Sequence, residues 1–168
     1  MITPKEKEYL DCFQQGLDTV AAHVSGMKAA GPITHLAAWF QHASRVKSIL
    51  GNLNNPISFM ACMMARDFLV KNHGDEAKFD VADKSQSAPG LDIDLKMANG
   101  ERIIGEVKTT TPCQKGLLGA NQKDSIEKDL KKLEDTPANH KYFFVTDPGT
   151  YAQVQNQMPQ GVEIILLR

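Results

Sequence analysis

Apolar residues recur at helical spacing through the first 74 residues of the chain. They predict three helices, over residues 3–24, 32–51 and 55–74. The first helix begins with a capping box formed by Thr3 and Glu6, and the second begins at Pro32 after a predicted break over residues 26–31. The third is apolar on more than one side, so we expect it to be the most buried and to pack on a sheet.

From residue 78 onward the apolar spacing becomes that of strands separated by helices. The predicted strands are residues 79–82, a hairpin within residues 89–112, and residues 141–146 and 162–167. The last two are continuous apolar runs, which are typical of central strands buried on both faces. One helix is predicted after a cap at Asn121, and a shorter one after the cap at Asp147. This order predicts an α/β fold of three layers, in which helices flank a mixed sheet.

The register of the hairpin decides which of its side chains share a face. A two-residue turn would place Ile93 opposite Glu106 and bury an acid among apolar groups. A three-residue turn over residues 98–100, with Gly100 at positive φ, instead pairs Asp92 with Glu106. We prefer the second register, because it collects the apolar residues on one face and the charged ones on the other, namely Asp92, Asp94, Glu106 and Lys108.

Carboxylates that converge across a hairpin repel one another, and a bound cation relieves this repulsion. Magnesium is suited to such a site, because it binds through one or two carboxylates and keeps several waters. A lysine two residues beyond the second acid projects to the same side, where it can orient a water or neutralise charge on a phosphate. These residues therefore fit metal-assisted hydrolysis of a phosphodiester.

The sequence Pro-Gly-Leu-Asp92 and the triplet Glu106-Val107-Lys108 on an apolar strand resemble the PD-(D/E)xK nuclease superfamily. The resemblance implies a restriction-endonuclease-like core over residues 78–168 and a site for Mg²⁺, for which Mn²⁺ can substitute. It implies that Asp92 and Glu106 are metal ligands, with the Val107 carbonyl as a further candidate, and that Lys108 lies near the attacking water. Asp94 remains an alternative to Asp92.

The same resemblance draws attention to two residues on helices. Several branches of the superfamily bring a glutamine or a lysine from the helix after the hairpin towards the site, which makes Gln122 a further catalytic candidate. Some relatives place an additional acid on the helix before the sheet, so Asp67 has either a metal-binding or structural role or is an ordinary surface acid. The lysines and acids of the helix after the hairpin alternate, and we interpret them as a solvated face with pairs four residues apart.

The predicted function is that of a magnesium-dependent DNA endonuclease, preferably of the type II restriction type. Two alternatives stay open: a nuclease selective for branched or damaged DNA, and an inactive nuclease-fold module that binds DNA or a protein. Because a single site cuts one strand, cleavage of both strands would require a homodimer. The helical residues 1–75 would then form either the dimer interface or a DNA-facing cap.

The length, the net charge and the positions of the cysteines and histidines give further expectations. At 168 residues the chain is expected to form one domain, and its net charge of −1 argues against a large nonspecific DNA footprint. We find no apolar run of about 18 residues and no signal-peptide pattern, which predicts a protein without a membrane span. Cys12, Cys62 and Cys113 are too widely spaced for a zinc or disulfide framework, which predicts buried or idle thiols in a reducing cytoplasm. His35 and His42 are interpreted as surface or boundary residues.

Overall fold

A computed structural model describes residues 2–30, 35–84, 89–112 and 116–168, except for the side chains of residues 28–30. The chain divides into two compact units, residues 1–56 and 57–168. None of the helices in the described ranges is both long enough and apolar enough to span a membrane.

The first unit contains two helices, α1 (Pro4–Ala30) and α2 (Leu36–Leu50), which pack against each other. The capping box predicted at the start of α1 is confirmed. The Glu6 N–H donates to the Thr3 hydroxyl at 3.1 Å, and the Thr3 N–H donates to the Glu6 carboxylate at 3.0 Å. These two bonds satisfy donors that the first helical turn would otherwise leave unpaired.

The break predicted from residue 26 is wrong for the part that the structure describes. Helix α1 continues through Gly26 and ends at Ala30. A glycine inside a helix costs only about 1 kcal/mol relative to alanine, and the good helix formers that follow it, over residues 27–30, outweigh that cost. Gly31 and Pro32 lie outside the described residues, so the predicted start of the second helix is not described.

The second unit contains a sheet and the helices that cover it. Its elements in chain order are α3 (Asn54–His73, from residue 57 onward), β1 (Ile93–Lys96), β2 (Arg102–Lys108), α4 (Ala120–Asp135), β3 (His140–Val145), α5 (Pro148–Val154) and β4 (Val162–Leu166). Helix α3, grouped on sequence with the N-terminal helices, thus lies almost entirely in this unit. The cap predicted at Asp147 is confirmed, since its carboxylate accepts from the Thr150 N–H at 2.7 Å.

The four strands lie in the order β1-β2-β3-β4. The β1–β2 pair is antiparallel, whereas β2–β3 and β3–β4 are parallel. On one face, Ala61, Ala65 and Leu69 of α3 pack against the strands, as predicted for this helix. On the other face, α4 and α5 pack through the buried side chains Ile126, Leu130, Leu133 and Val154. The predicted α/β architecture, a mixed sheet flanked by helices, is confirmed.

The hairpin has the register preferred from the sequence. Ile93 pairs with Gly105, and the turn closes with Gly100 at φ 87° and its N–H bonded to the Met97 carbonyl at 3.0 Å. Continuing the antiparallel register by one residue places Asp92 opposite Glu106. The hairpin therefore presents both acids at the end of the strands that lies away from its turn.

Two strand predictions are wrong. Residues 79–82 form no strand; a 3₁₀ turn covers Val81–Asp83 instead, because the Asp80 carboxylate accepts the Ala82 N–H at 2.9 Å and stabilises a turn. Strand β4 was predicted to be central but pairs only with β3, so it is an edge of the sheet formed by the described residues. Most of its residues are apolar because helices cover both faces of the sheet. Helices can cover an edge strand in this way as well as a central one.

Candidate active site

Asp92 and Glu106 meet at the open end of the hairpin. Asp92 directly precedes β1, and its Oδ2 accepts the N–H of Val107 on β2 at 2.8 Å. This bond holds the Asp92 carboxylate against the neighbouring strand. Glu106 lies inside β2 and is buried, with 3% of its surface exposed. The first acid is thus accessible to solvent, whereas the second lies under the helix that covers this face.

Burial raises the pKa of Glu106 to about 8. The charge of Asp92 and a hydrogen bond between the two carboxyl groups contribute to this raised value, and a hydrogen bond from Lys132 partly offsets them. The two acids are therefore close enough to share a proton. A cation bound between them would favour the ionised form of both, because it would offset the repulsion that raises the pKa.

Lys108 points to the same side of β2 as Glu106, because the two are separated by one residue. Its ammonium donates to the Ser125 hydroxyl at 2.9 Å and forms an ion pair with Oδ2 of Asp129 at 2.5 Å. The side chains of Lys108 and Asp129 are only 18% and 17% exposed. Helix α4 therefore fixes the position of the lysine in the sequence motif.

A second lysine, Lys132 of α4, lies against the buried acid. Its Nζ is 2.6 Å from Oε1 of Glu106 and 3.0 Å from the carbonyl oxygen of Gly90. It also lies 3.7 Å from Asp129. Burial lowers the pKa of Lys132, but the hydrogen bond and the charge of Glu106, with those of Asp129 and Asp92, outweigh it, so the net shift is upward. Lys132 is consequently protonated at neutral pH.

Ser125, Asp129 and Lys132 lie on one face of α4, since they are spaced four and three residues apart. Their predicted role as part of a solvated face is wrong for Asp129 and Lys132, which pair with residues of the hairpin. The positions of these residues in the sequence indicate that they lie beside the sheet. Each of the three directly precedes a residue of the buried stripe, namely Ile126, Leu130 and Leu133, and so flanks the face that packs on the sheet.

Gln122 lies on the same face of α4, one turn before Ser125. Its Oε1 accepts the Gly119 N–H at 2.9 Å, and its Nε2 donates to the Thr111 carbonyl at 2.9 Å. These bonds cap the helix and attach it to the segment that follows β2. The N-cap residue is Gly119 and not Asn121, which corrects the sequence prediction. The proposed approach of Gln122 to the reacting groups remains a prediction.

The two alternative acids have partners of their own. Both oxygens of Asp94 accept from Arg102, Oδ1 from Nε at 2.8 Å and Oδ2 from Nη2 at 2.7 Å, and this hydrogen bonding lowers the pKa of Asp94. Asp67 is 67% exposed and accepts hydrogen bonds from its neighbour Arg66. The geometry thus favours Asp92 over Asp94 as the partner of Glu106.

Two residues that were not predicted to lie near the acids complete this region. Burial, together with the charges of Asp92 and Glu106, raises the pKa of the Cys62 thiol on α3 to about 12, and Lys84 partly offsets this rise. Lys84 donates a hydrogen bond to the carbonyl of Leu91, the residue before Asp92. Cys62 is therefore a neutral thiol beside the acids. Cys12 is also free, and Cys113 lies outside the described residues.

The donor set fits Mg²⁺ bound with waters. Asp92 and Glu106 supply carboxylates, and the carbonyl of Val107 is a hard oxygen of the same kind. Within the described ranges no group of three or more His, Cys, Asp or Glu side chains could enclose a metal. Two carboxylates with open positions for water are the kind of donor set that Mg²⁺ uses, whereas a closed structural site has four protein ligands.

Comparison of the chain with protein-family models, with curated proteins and with solved structures finds no match. Function therefore has to be inferred from the residues at the open end of the hairpin. Those residues are two adjacent acids, one of them buried with a raised pKa, and two lysines held in place by α4.

Proposed function

We propose that the protein is a magnesium-dependent DNA endonuclease of the PD-(D/E)xK type, restriction-endonuclease-like in its core. The observation that carries the proposal is the placement of Asp92, Glu106 and Lys108 on one face of a single hairpin. A hairpin followed by a helix and a parallel strand is also the arrangement that the resemblance implies for residues 78–168.

Asp92 and Glu106 would hold the metal, and the Val107 carbonyl would add an oxygen. When bound, Mg²⁺ supplies a Lewis acid that polarises the phosphate and lowers the pKa of a coordinated water. The exposed carboxylate of Asp92 and the buried carboxyl of Glu106 would contribute differently to binding the metal. Asp92 is reached from solvent, whereas Glu106 provides a ligand whose position is fixed by packing.

Lys108 would act on the attacking water or on the charge that develops on the phosphate. Asp129 and Ser125 of α4 bind the ammonium of Lys108, so the position of this lysine does not depend on the substrate. Preorganised charge of this kind stabilises a transition state without reorganisation during the reaction. Lys132 would oppose the rise in the pKa of Glu106 through the pair at 2.6 Å, and would thereby make this acid easier to ionise when a cation binds.

DNA duplex cleavage would need two such sites, so we propose that the active form is a homodimer. The first unit, residues 1–56, is the part of the chain that does not contribute residues to the site described above. It is therefore available for dimer formation or for contact with DNA.

The direct test is incubation of the purified protein with linear phage DNA, supercoiled plasmid and a branched synthetic junction in Mg²⁺, in Mn²⁺ and in EDTA. We expect metal-dependent cleavage that is lost in Lys108→Ala and kept in Lys131→Ala, a matched change at an exposed lysine of α4. Discrete bands would indicate a site-specific enzyme, and selective cutting of the junction would indicate the structure-selective alternative. Cleavage by Lys108→Ala at the unmutated rate would refute the assigned roles.

One observation favours a second candidate, a nuclease-fold module that binds without cutting. Glu106 is paired with Lys132 at 2.6 Å, and its raised pKa lets it hold a proton, so the acid pair is compatible with a stable fold in the absence of metal. A module of this kind would retain DNA on a filter in EDTA as well as in Mg²⁺, and would cut none of the three substrates. The same experiment therefore separates the two candidates.

A further inference from the structure

Two histidines meet in the first unit, well away in sequence from the hairpin. His42 Nδ1 on α2 lies 3.2 Å from His23 Nε2 on α1, and the ring centroids are 5.2 Å apart with planes inclined by 48°. Both side chains are partly buried. The interpretation of His42 as a surface or boundary residue did not include His23, which is brought to it by the packing of α1 on α2. His35, by contrast, is exposed at the start of α2.

One ring donates an N–H···N hydrogen bond to the other at 3.2 Å, and the same distance is close to that of two ligands on one metal ion, which would bind in place of the shared proton. With Zn–N bonds of about 2.0–2.1 Å and tetrahedral angles, two imidazole nitrogens on the same ion lie about 3.3–3.4 Å apart. The observed 3.2 Å differs from this by less than the movement that a rotation of the rings provides. Both nitrogens are carried by helices, so an ion could be accommodated without rearrangement of the backbone.

In the part of the first unit whose side chains are described, the apolar side chains between the two helices are at most partly buried. Among its described side chains, in residues 2–27 and 35–56, no Val, Leu, Ile, Met, Phe or Trp is buried. Helix α2 has no buried residue at all, and Leu36, Trp39 and Phe40 are 86%, 56% and 71% exposed. Small structures with little buried apolar surface are commonly stabilised by a metal or another crosslink.

We propose that His23 and His42 bind a divalent late transition-metal ion, of the class of Zn²⁺ or Cu²⁺, which links α1 to α2. Imidazole nitrogens favour such ions over Mg²⁺, which prefers oxygen, so this site is chemically distinct from the acid pair at the hairpin. Two protein ligands leave further positions to water, which makes the site open and its metal exchangeable. The proposal does not depend on the proposed nuclease function.

The test is calorimetric titration of the metal-free protein with Zn²⁺ and, separately, with Cu²⁺ at pH 7.5. The variants are His23→Gln, His42→Gln and the matched control His35→Gln. We expect the control to bind as the unmutated protein does, and the other two to lose about tenfold or more in affinity for one equivalent of metal. Cu²⁺ should bind more tightly than Zn²⁺. The neighbouring rings of His73 and His140 are unchanged in every variant, so any binding there cancels in the comparison.

A second measurement covers the case in which a variant loses helical structure. One equivalent of Cu²⁺ is added to the His73→Gln protein, and electron paramagnetic resonance reports the nitrogens bound to copper. We expect the signature of two imidazole nitrogens, which disappears when His42 is also replaced. Equal Zn²⁺ affinity in the unmutated protein and in both histidine variants would overturn the proposal, as would a copper signal that is unaffected by the loss of His42.

Discussion

The ammonium of Lys132 lies 2.6 Å from Oε1 of Glu106, so the cationic partner of the hairpin's buried acid comes from α4 and not from its own strands. The side chain of Glu106 is 5% exposed, whereas that of Lys132 is 39% exposed. The lysine also binds the carbonyl of Gly90, two residues before Asp92. Helix α4 is therefore an electrostatic part of the candidate site as well as a part of the core.

Removing this ammonium should destabilise the fold. In Lys132→Gln the carboxyl of Glu106 loses its cation while it remains buried, and we expect a loss of about 1–2 kcal/mol in the free energy of unfolding, since Lys132 is partly exposed and Glu106 can take up a proton. Urea unfolding at pH 7.5 measures this. The matched change Lys131→Gln, at an exposed position, should stay within about 0.5 kcal/mol. Equal losses in the two variants would show that the pair contributes nothing.

Asp129 should affect cleavage through Lys108. In Asp129→Asn the 2.5 Å ion pair with Lys108 is lost while the hydroxyl of Ser125 remains, so the ammonium is held less firmly. We expect turnover on DNA to fall by about 10- to 100-fold, with DNA binding unchanged or slightly tighter because a negative charge is removed. Single-turnover cleavage and filter binding separate the two effects. Glu127→Gln, an exposed change on the same helix, is the control; an Asp129→Asn protein that cuts as fast as this control would contradict the role.

Asp94 should be dispensable for the chemistry. Its two oxygens bind Arg102, and the side chains of this pair are 44% and 30% exposed, so Asp94→Asn should cost less than about 1 kcal/mol of stability. We expect cleavage of plasmid within about twofold of the unmutated rate, because the substitution leaves Asp92 and Glu106 in place. Loss of cleavage in Asp94→Asn, with normal unfolding in urea, would instead make Asp94 the first metal-binding acid.

Stability should decrease on mild acidification because of His73. Burial lowers its pKa below the ordinary value of 6.5, and the nearby His140 lowers it further, while its Nε2 contacts the Tyr142 hydroxyl at 2.8 Å. Below pH 6.5 the unfolded chain therefore binds this proton more readily than the folded chain does. The contribution of neutral His73 to the free energy of unfolding is complete above pH 6.5 and is lost as the pH falls through the lowered pKa.

The measurement is the urea midpoint at pH 7.5, 6.0 and 5.0 for the unmutated protein and for His73→Gln. The midpoint of the unmutated protein should fall more steeply with decreasing pH, because the variant lacks the titrating ring. Parallel curves for the two proteins would exclude His73 as the cause.

The hairpin register was predictable because one face of a strand has to be apolar. Pairing Ile93 with Glu106 was rejected on that ground, and the observed pairing of Ile93 with Gly105 agrees. The predicted charged face is nevertheless not a solvated one. Glu106 is 3% exposed, because α4 covers it and supplies Lys132 as its partner.

That partnership was not visible in local patterns. Lys132 lies 26 residues beyond Glu106, and its position follows from the crossover that returns the chain to pair β3 parallel to β2. Alternation and helical periodicity indicate which face of an element is buried, but not which polar residue at the margin of that face meets which strand. The approach of His23 to His42 is of the same kind, since it depends on how two helices pack.

The remaining wrong predictions, one strand, one helix end and the place of β4 in the sheet, each have a physical reason. The apolar run at residues 79–82 is short, and Asp80 provides a side-chain acceptor that favours a turn. Gly26 is followed by residues that favour a helix, so one glycine does not end α1. Strand β4 has the composition of a central strand but lies at the edge, since the order of strands in a sheet is not encoded in the composition of any one of them.

The central claim is that Asp92 and Glu106 form the binding site for a divalent cation. Calorimetric titration of the purified protein with Mn²⁺ at pH 7.5, compared with titration of Asp92→Asn, tests it without reference to any substrate. The variant should keep the fold, because an amide oxygen can still accept the Val107 N–H. We expect one equivalent of Mn²⁺ to bind the unmutated protein and the affinity to fall by about tenfold or more in the variant. Equal affinity in the two proteins, or no binding to either, would contradict the claim.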